Sequence, residues 1–465
     1  MAYNFRPYSI VPVPQETYCR IIMRKRKIQD KNGWYDFLRH YVDSTLKLSY
    51  RKIQYTGTGN VPSDGAVIYA PNHTNALMDA LVILAMDRKP KVFVARADIF
   101  KNRTLAKIFA FLKIMPIMRM RDGINEVKKN NETIEKAVDV LKDKVPFCIF
   151  PEGQHQAKHS AQPLSKGIFR IAFQAQELMP DTPLYIVPVG IQYGNFFRFR
   201  STVNVTVGEA INVGKYLAEH SEFTPQEQMN QMKDLLAERM KSLIMYIPND
   251  EDYQATYEVC AAAMRPQRKK LMQNSPKGSV PRKLAHFKAN AITTAAIARF
   301  KQEKPQEAQE LMELGREAYK MRVSQKISLS SLTNRFPYWV RVLRFILFWI
   351  LLPYCVPAAI LTLPIFGICK LFFKLLKDHA FRNSVRFIVN LIIWPVIVLI
   401  YSIIAFCIAP WEWALAFTAL VIPAPLAAQE MWRLFRLEIS DIKLLCNRKL
   451  REKYTRIQQI VLNLK

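Results

Sequence analysis

Ala70-Pro71-Asn72-His73-Thr74-Asn75-Ala76-Leu77-Met78-Asp79 is the stretch on which the first half of this chain turns. An apolar run with strand character, Ala66-Val67-Ile68-Tyr69-Ala70, leads into it and stops at Pro71. Beyond it, Leu77, Leu81, Val82 and Leu84 recur at helical spacing, and Asn75 stands where a helix N-cap belongs. A strand-to-helix turn holds polar side chains clear of the core. On one continuous helix, two residues with the separation of His73 and Asp79 point about 120° away from a shared face. His73 is therefore expected in the turn, with Asp79 in the first turns of the helix. There the carboxylate would fix the imidazole tautomer and stabilise the imidazolium. Taken by itself the stretch has a plainer reading, a capping Asn, an incidental His and a surface Asp.

Working outward, strand and helix signals alternate from Lys52 to Gly208. Strand-like runs are Ile53–Thr56, Ala66–Ala70, Lys91–Ala95, Ile114–Met118, Phe147–Phe150, Leu184–Val189 and Val203–Val207. Between several of them lie the helix-like runs Ala76–Met86, Ile99–Leu112, Ile124–Lys142 and Ile168–Leu178. The alternation predicts an α/β domain, a buried sheet with helices on both faces, over 51–210. Polar groups with chemistry to do should collect in loops at one end of that sheet. A basic helical lead-in, 1–50, precedes the domain, and its run from Tyr35 to Leu48 suits packing on the domain or lying on a membrane surface.

Strand signals fade over 211–336, which reads as a helical insert broken by Pro248, Pro266, Pro276 and Pro281, with Arg265–Arg282 as a basic linker. Membrane-embedded segments follow over 337–436. The run 345–368 contains three prolines and has cations at both ends, so it is expected to bend into a re-entrant wedge. The stretch 387–428 is expected to form a helical hairpin turning at Trp411-Glu412-Trp413, and 437–465 a basic C-terminal helix. Basic flanks imply an integral membrane protein with its active site facing the cytoplasm.

Four stretches of the α/β part carry polar groups at strand ends: Asn72-His73 to Asp79; Met115-Pro116-Ile117-Met118-Arg119-Met120-Arg121-Asp122; Phe150-Pro151-Glu152-Gly153, with Lys166-Gly167 after it; and Val187-Pro188-Val189-Gly190. In this order they resemble the glycerophospholipid acyltransferase superfamily, the glycerol-3-phosphate and 1-acylglycerol-3-phosphate acyltransferases. The resemblance implies that His73 is the general base and Asp79 its orienter. It implies that Arg119 contacts the acceptor's phosphate and that Glu152 and Gly153 form the acceptor-binding turn. Pro188 matches the fourth block, associated with donor binding or site architecture. On charge alone, Arg121 and Lys166 are expected to help hold the phosphate. The sequence departs from the common pattern twice. Five residues rather than four separate His73 from Asp79, and Gln154 replaces the usual Ser or Thr after Phe-Pro-Glu-Gly. The longer spacing resembles the branch containing fungal glycerol-3-phosphate acyltransferases.

The implied reaction moves a fatty acyl group from an acyl-CoA or acyl-carrier-protein thioester, a co-substrate, to a hydroxyl of a phosphorylated glycerol acceptor. No resident cofactor and no metal are expected. His155 and His159 have zinc-compatible spacing but lack a third ligand, and read as solvated or acceptor-side groups. No Gly-x-Ser-x-Gly elbow is present, which favours direct transfer over an acyl-enzyme. A non-enzymatic lipid-binding membrane protein retaining the fold is the alternative.

Composition bears on partners. Lys and Arg number 67 against 38 Asp and Glu, a net charge of +29. Such an excess asks for a polyanionic surface, and without a nucleic-acid-binding motif the lipid bilayer is the expected partner. Seven scattered cysteines with no Cys-x-x-Cys argue against a disulfide framework. The alternating loop Asn195-Phe196-Phe197-Arg198-Phe199-Arg200 reads either as a lipid-inserting loop or as a twisted strand edge.

Overall fold

A computed structural model describes residues 27–117, 130–276, 285–333, 338–376 and 378–464. Chain order begins with helix α1 (Gly33–Ser49) and strands β1 (Tyr50–Thr56) and β2 (Ala66–Pro71), followed by α2 (Leu77–Leu84) and β3 (Val92–Arg96). Then come α3 (Arg103–Phe111), β4 (Ile114–Ile117), α4 (Asn130–Lys142), β5 (Phe147–Cys148), α5 (Gly167–Glu177) and β6 (Leu184–Tyr193). The domain closes with β7 (Ser201–Val207), β8 (Ile211–Asn212), α6 (Val213–Glu219) and α7 (Pro225–Ser242).

The strands form one sheet in the order β1-β7-β6-β2-β5-β3-β4, with β8 also pairing β6. Pairings are parallel except β6 with β7 and β6 with β8. Side chains alternate across a strand, so each strand feeds two cores. Ala66, Ile68 and Ala70 of β2 join the core under α4, α5, α6 and α7. Val67 and Tyr69 join the opposite core under α1 and α2. Because β2 is covered on both faces, its run is continuously apolar, as central parallel strands are.

Two features shift the expected boundaries. Met232, Leu236 and Met240 of α7 belong to the sheet's core, so the α/β unit extends well past residue 210 and the helical insert starts near Met245. Gly190 makes this close approach of helix end to strand possible: a Cβ there would lie 2.6 Å from the Leu243 Cβ. The short strand β8, which had no sequence signal, also lies past that boundary.

The insert is built from α8 (Tyr253–Asn274), α9 (Ala285–Glu303), α10 (Pro305–Ser324) and the short α11 (Leu329–Thr333). Pro266 does not break it; α8 runs through that residue. An interior proline costs roughly 3 kcal/mol, and packing of α8 against α9, α10 and the last helix of the chain outweighs it. The basic stretch after Arg265 is thus helical up to Asn274 rather than a linker. At the centre of the bundle Glu258 is fully buried. It accepts from Arg322 Nε at 2.8 and 3.0 Å and from Tyr454 Oη at 2.6 Å.

Beyond it run α12 (Tyr338–Leu361), α13 (Leu363–Leu375), α14 (Arg382–Ile388), α15 (Trp394–Ile408), α16 (Trp411–Val421), α17 (Ala424–Cys446) and α18 (Arg448–Asn463). Tyr338–Leu361 and the near-continuous His379–Ile408 are long and apolar enough to cross a membrane, and α16 with α17 makes a pair bent by 49°. Their outward faces are greasy: Trp349 is 56% and Ile408 80% exposed, a density of apolar surface that soluble monomers do not carry. The expected proline wedge differs in detail. Helix α12 continues through Pro353 and Pro357, and the break falls at Thr362, just before Pro364 opens α13. The last helix returns to the insert, where Leu450, Tyr454, Ile457 and Val461 join its core. It is an integral part of that bundle, not a free basic tail.

Replacing Glu258 by Ala leaves a buried guanidinium and a buried phenol without their acceptor. Loss of one partner of such a pair costs roughly 3–5 kcal/mol. Glu258→Ala should therefore lower the Tm of the detergent-solubilised protein by several degrees, and an unchanged Tm would show that the pair is solvated.

Candidate active site

His73 sits in the turn between β2 and α2 and is held from four sides. Its backbone N–H donates to Glu152 Oε2 at 3.1 Å, and its carbonyl accepts from the Gln156 N–H at 3.0 Å. Its ring stacks on Phe150, with centroids 4.2 Å apart, and its Nδ1 lies 2.8 Å from Asp79 Oδ2.

Asp79 is completely buried. Oδ2 accepts from the backbone N–H groups of Thr74 and Asn75 at 2.7 and 2.6 Å, and Oδ1 accepts from Tyr193 Oη at 2.7 Å. An ionised carboxylate only accepts. Nδ1 must then carry the proton, which leaves the Nε2 lone pair free for a substrate proton. Nε2 bonds to no described residue. As the first-turn carboxylate of α2, Asp79 reaches back to cap the orphan N–H groups ahead of the helix.

Asn75 is not that cap. The helix opens at Ala76, which makes no side-chain capping bond, while the Asn75 amide donates to the Phe196 carbonyl at 2.9 Å. Ala76 is held at φ 46°, ψ −125°, a conformation that costs a non-glycine residue of order 1–3 kcal/mol. The bonds converging on Asp79 hold it there. Asn72 anchors the other end of the turn, its amide exchanging two hydrogen bonds with the Ile191 backbone at 2.6 and 3.1 Å.

The Phe-Pro-Glu-Gly turn follows β5, the parallel neighbour of β2, so sheet order brings residues far apart in sequence side by side. Gly153 takes φ +63°, a conformation suited to glycine. Glu152 is buried, and that burial pushes its carboxyl up to about 7 despite the N–H donors of His73 and Gln162. Lys166 stands at the start of α5, where Ser165 N–H donates to the Pro151 carbonyl at 2.8 Å. Its ammonium pairs with no described carboxylate. Ile117, the last residue of β4, approaches Gly167, so the strand leading towards Arg119 ends at the same corner. Arg119 and Arg121 themselves lie outside the described residues. Pro188 lies inside β6 opposite Ala70, buried, its carbonyl accepting from Gly208 at 2.9 Å.

Several neighbours went unread in the sequence. Tyr193, which no motif announced, and Phe150, whose stacking role its Phe-Pro-Glu-Gly block did not disclose, complete the surroundings of His73 and Asp79. His155 lies edge-on to His73 at 5.4 Å and bonds Asp378 at 2.6 Å through Nε2. His159, expected as a solvated or acceptor-side group, is packed between Phe196 and Tyr257, and burial lowers it to about 4. Among the described residues no cluster of metal-ligating side chains occurs.

Residues 52–192 match the family model Acyltransferase. The chain carries an acyltransferase domain. Over 294 residues, 60% of the chain, it is 26% identical to glycerol-3-phosphate O-acyltransferase 2 of Saccharomyces cerevisiae. Over 97 residues, 20% of the chain, it is 29% identical to glycerol-3-phosphate O-acyltransferase 1 of the same yeast. These matches span 39% and 13% of the two yeast proteins. The crystal structure of the 1-acyl-sn-glycerophosphate (LPA) acyltransferase PlsC from Thermotoga maritima aligns over 49% of this chain and 85% of its own. The identity there is 18% and the TM-score 0.33. His73, Asp79, Glu152, Gly153, Lys166 and Pro188 all fall within the matched acyltransferase segment.

A buried acid raised from 4.5 to about 7 keeps its proton in the folded state across that window, while the unfolded chain loses it. Stability therefore falls as pH rises from about 4.5 to 7, by on the order of 3 kcal/mol for this group. Glu152→Gln should flatten the slope of Tm against pH over that range and raise Tm at pH 8. Parallel Tm profiles for the two proteins would show the carboxyl to be solvated.

Proposed function

We propose that this protein is a membrane-bound O-acyltransferase that moves a fatty acyl group from an acyl thioester to a hydroxyl of glycerol 3-phosphate or 1-acylglycerol 3-phosphate. The observation that carries the reading is the His73–Asp79 pair, with Nε2 left open beside the Phe-Pro-Glu-Gly turn.

In this reaction His73 Nε2 takes the acceptor's hydroxyl proton as the oxygen attacks the thioester carbonyl carbon. The C–S bond then breaks, and the imidazolium returns the proton to the departing thiolate. Asp79 stabilises the imidazolium while it exists. The thioester is already activated, so the chemistry needs no resident cofactor; the CoA or carrier-protein thioester is a co-substrate. Arg119, with Arg121 and Lys166, would hold the acceptor's phosphate, Arg through its bidentate fork and Lys as a point charge. Glu152 and Gly153 form the turn against which the acceptor would sit, and Pro188 shapes the strand behind it.

The candidate spans Tyr338–Leu361 and His379–Ile408 support a seat in the lipid bilayer. Helix α1 adds exposed Trp34 and Phe37 on its outer side, suited to the headgroup level. We place the active site on the cytoplasmic side, because cations gather at the ends of these helices.

Two measurements test the assignment of roles. Asp79→Asn should fold normally yet lower kcat by roughly two to four orders of magnitude, because an amide cannot stabilise the imidazolium; a rate within threefold of wild type would remove the pair from the mechanism. Arg119→Ala removes a charge-assisted phosphate contact of roughly 1.5–3 kcal/mol, so acceptor KM should rise by one to two decades with kcat little changed. If Arg121→Ala raises KM and Arg119→Ala does not, the phosphate anchor is Arg121.

A further inference from the structure

A cleft of about 950 Å³ opens among α8, α11, α12, α17 and α18. Every residue lining it lies at or beyond Arg265, so it contains no part of the acyltransferase domain. Arg265, Arg268, Lys269, Arg341 and Arg451 face it. None of these five pairs with a described carboxylate. Asp441 also lies on the wall, but it is engaged by Arg344 at 3.0 Å. Arg341 Nε is buried with no hydrogen-bond partner. Five like charges gathered around one cleft repel one another, and a buried guanidinium N–H left unbonded is a cost the fold carries for a reason. An anion seated there relieves the repulsion among these cations.

The chemistry narrows the anion. Three of the cations, Arg265, Arg268 and Lys269, follow one another on α8, and Arg341 and Arg451 face them from α12 and α18. Several arginine forks converging on one volume suit the oxygens of a phosphate. Part of the remaining wall is apolar, with Met272, Leu332, Leu444 and Leu445, a surface that accepts hydrocarbon, and Gln273, Ser331, Thr455 and Gln458 supply polar groups beside it. Arg341 stands in the first turn of α12, a candidate membrane span, beside exposed Tyr338 and Trp339. Aromatic residues at the end of a span mark the headgroup level of a bilayer. We propose that this cleft binds the phosphate headgroup of an anionic phospholipid, with an acyl chain along its apolar wall, as a lipid site separate from the catalytic turn.

Native mass spectrometry of the full chain in detergent tests this, with phosphatidic acid, phosphatidylcholine and inorganic phosphate as probes. Wild type should retain phosphatidic acid at least tenfold more tightly than phosphatidylcholine. Arg268→Gln/Arg451→Gln should lose that preference, whereas Arg119→Ala, at the catalytic site, should keep it. The single variant Arg451→Gln, at an exposed position, gives a reading with the fold intact and should weaken retention severalfold. Equal retention of the two lipids by wild type, or an unchanged preference in the double variant, overturns the proposal. A phosphate adduct that the double variant loses, without any lipid preference, assigns the cleft to a free phosphate and overturns the lipid reading.

Discussion

A carboxylate without water must have every lone pair answered from within the protein, and the mouth of this sheet is arranged around one such group. Asp79 accepts from two backbone N–H groups, a tyrosine hydroxyl and an imidazole. A buried charge left short of partners is expensive, so these four donors are constraints on the chain rather than ornaments of the site. The backbone bonds curl the turn tightly enough to force Ala76 to positive φ. The Tyr193 bond ties α2 to the far end of β6. The imidazole bond sets the orientation and tautomer of His73. One interaction thus links a helix start, a strand end and a general base.

The second constraint is the seam between the α/β domain and the apolar helices. It is made largely by backbone carbonyls of the loop after β6. Phe196 accepts from Asn75 and Asn383, and Phe197 from Arg386. On the far side Glu430 pairs with both Arg51 and Arg200. His155, beside His73, reaches Asp378 in the segment that opens the second candidate span. The aromatic-cationic loop 195–200 therefore works as a joint, half-buried between two layers, instead of dipping into lipid or fraying as a strand edge. Through it the position of the base is tied to the apolar helices.

Burial gives Glu152 a different character from the other carboxylates near the turn. Its oxygens face backbone N–H groups, and its proton affinity is set by desolvation. Asp79, completely buried, meets more donors, two backbone N–H groups, a tyrosine hydroxyl and an imidazole.

Much of this was written in local pattern. Short continuous apolar runs marked β2 and β6, and valines at every second position marked β7. Helical spacing marked α2 and α5, apolar run length marked the candidate spans, and the spacing of His73 and Asp79 required a turn between them. Such signals depend on neighbours within one or two turns of chain, which is why they survive without a structure. Other features depend on contacts between residues a hundred or more apart. Asn75 caps nothing because the chain enters the helix at Ala76 and the Asn75 amide N–H is spent on the Phe196 carbonyl. Pro266 stays helical because three other helices pack on α8, and α7 joins the sheet because Gly190 lets Leu243 approach. The last helix turns back to bring Tyr454 to Glu258, and Tyr193 reaches Asp79 from the end of another strand. By itself the sequence determined which segments are strands, helices and candidate spans, and which residues could do acid–base chemistry. Only the tertiary structure decided which partner each polar group takes, because a buried donor or acceptor is satisfied by whatever the packed fold brings within about 3 Å of it.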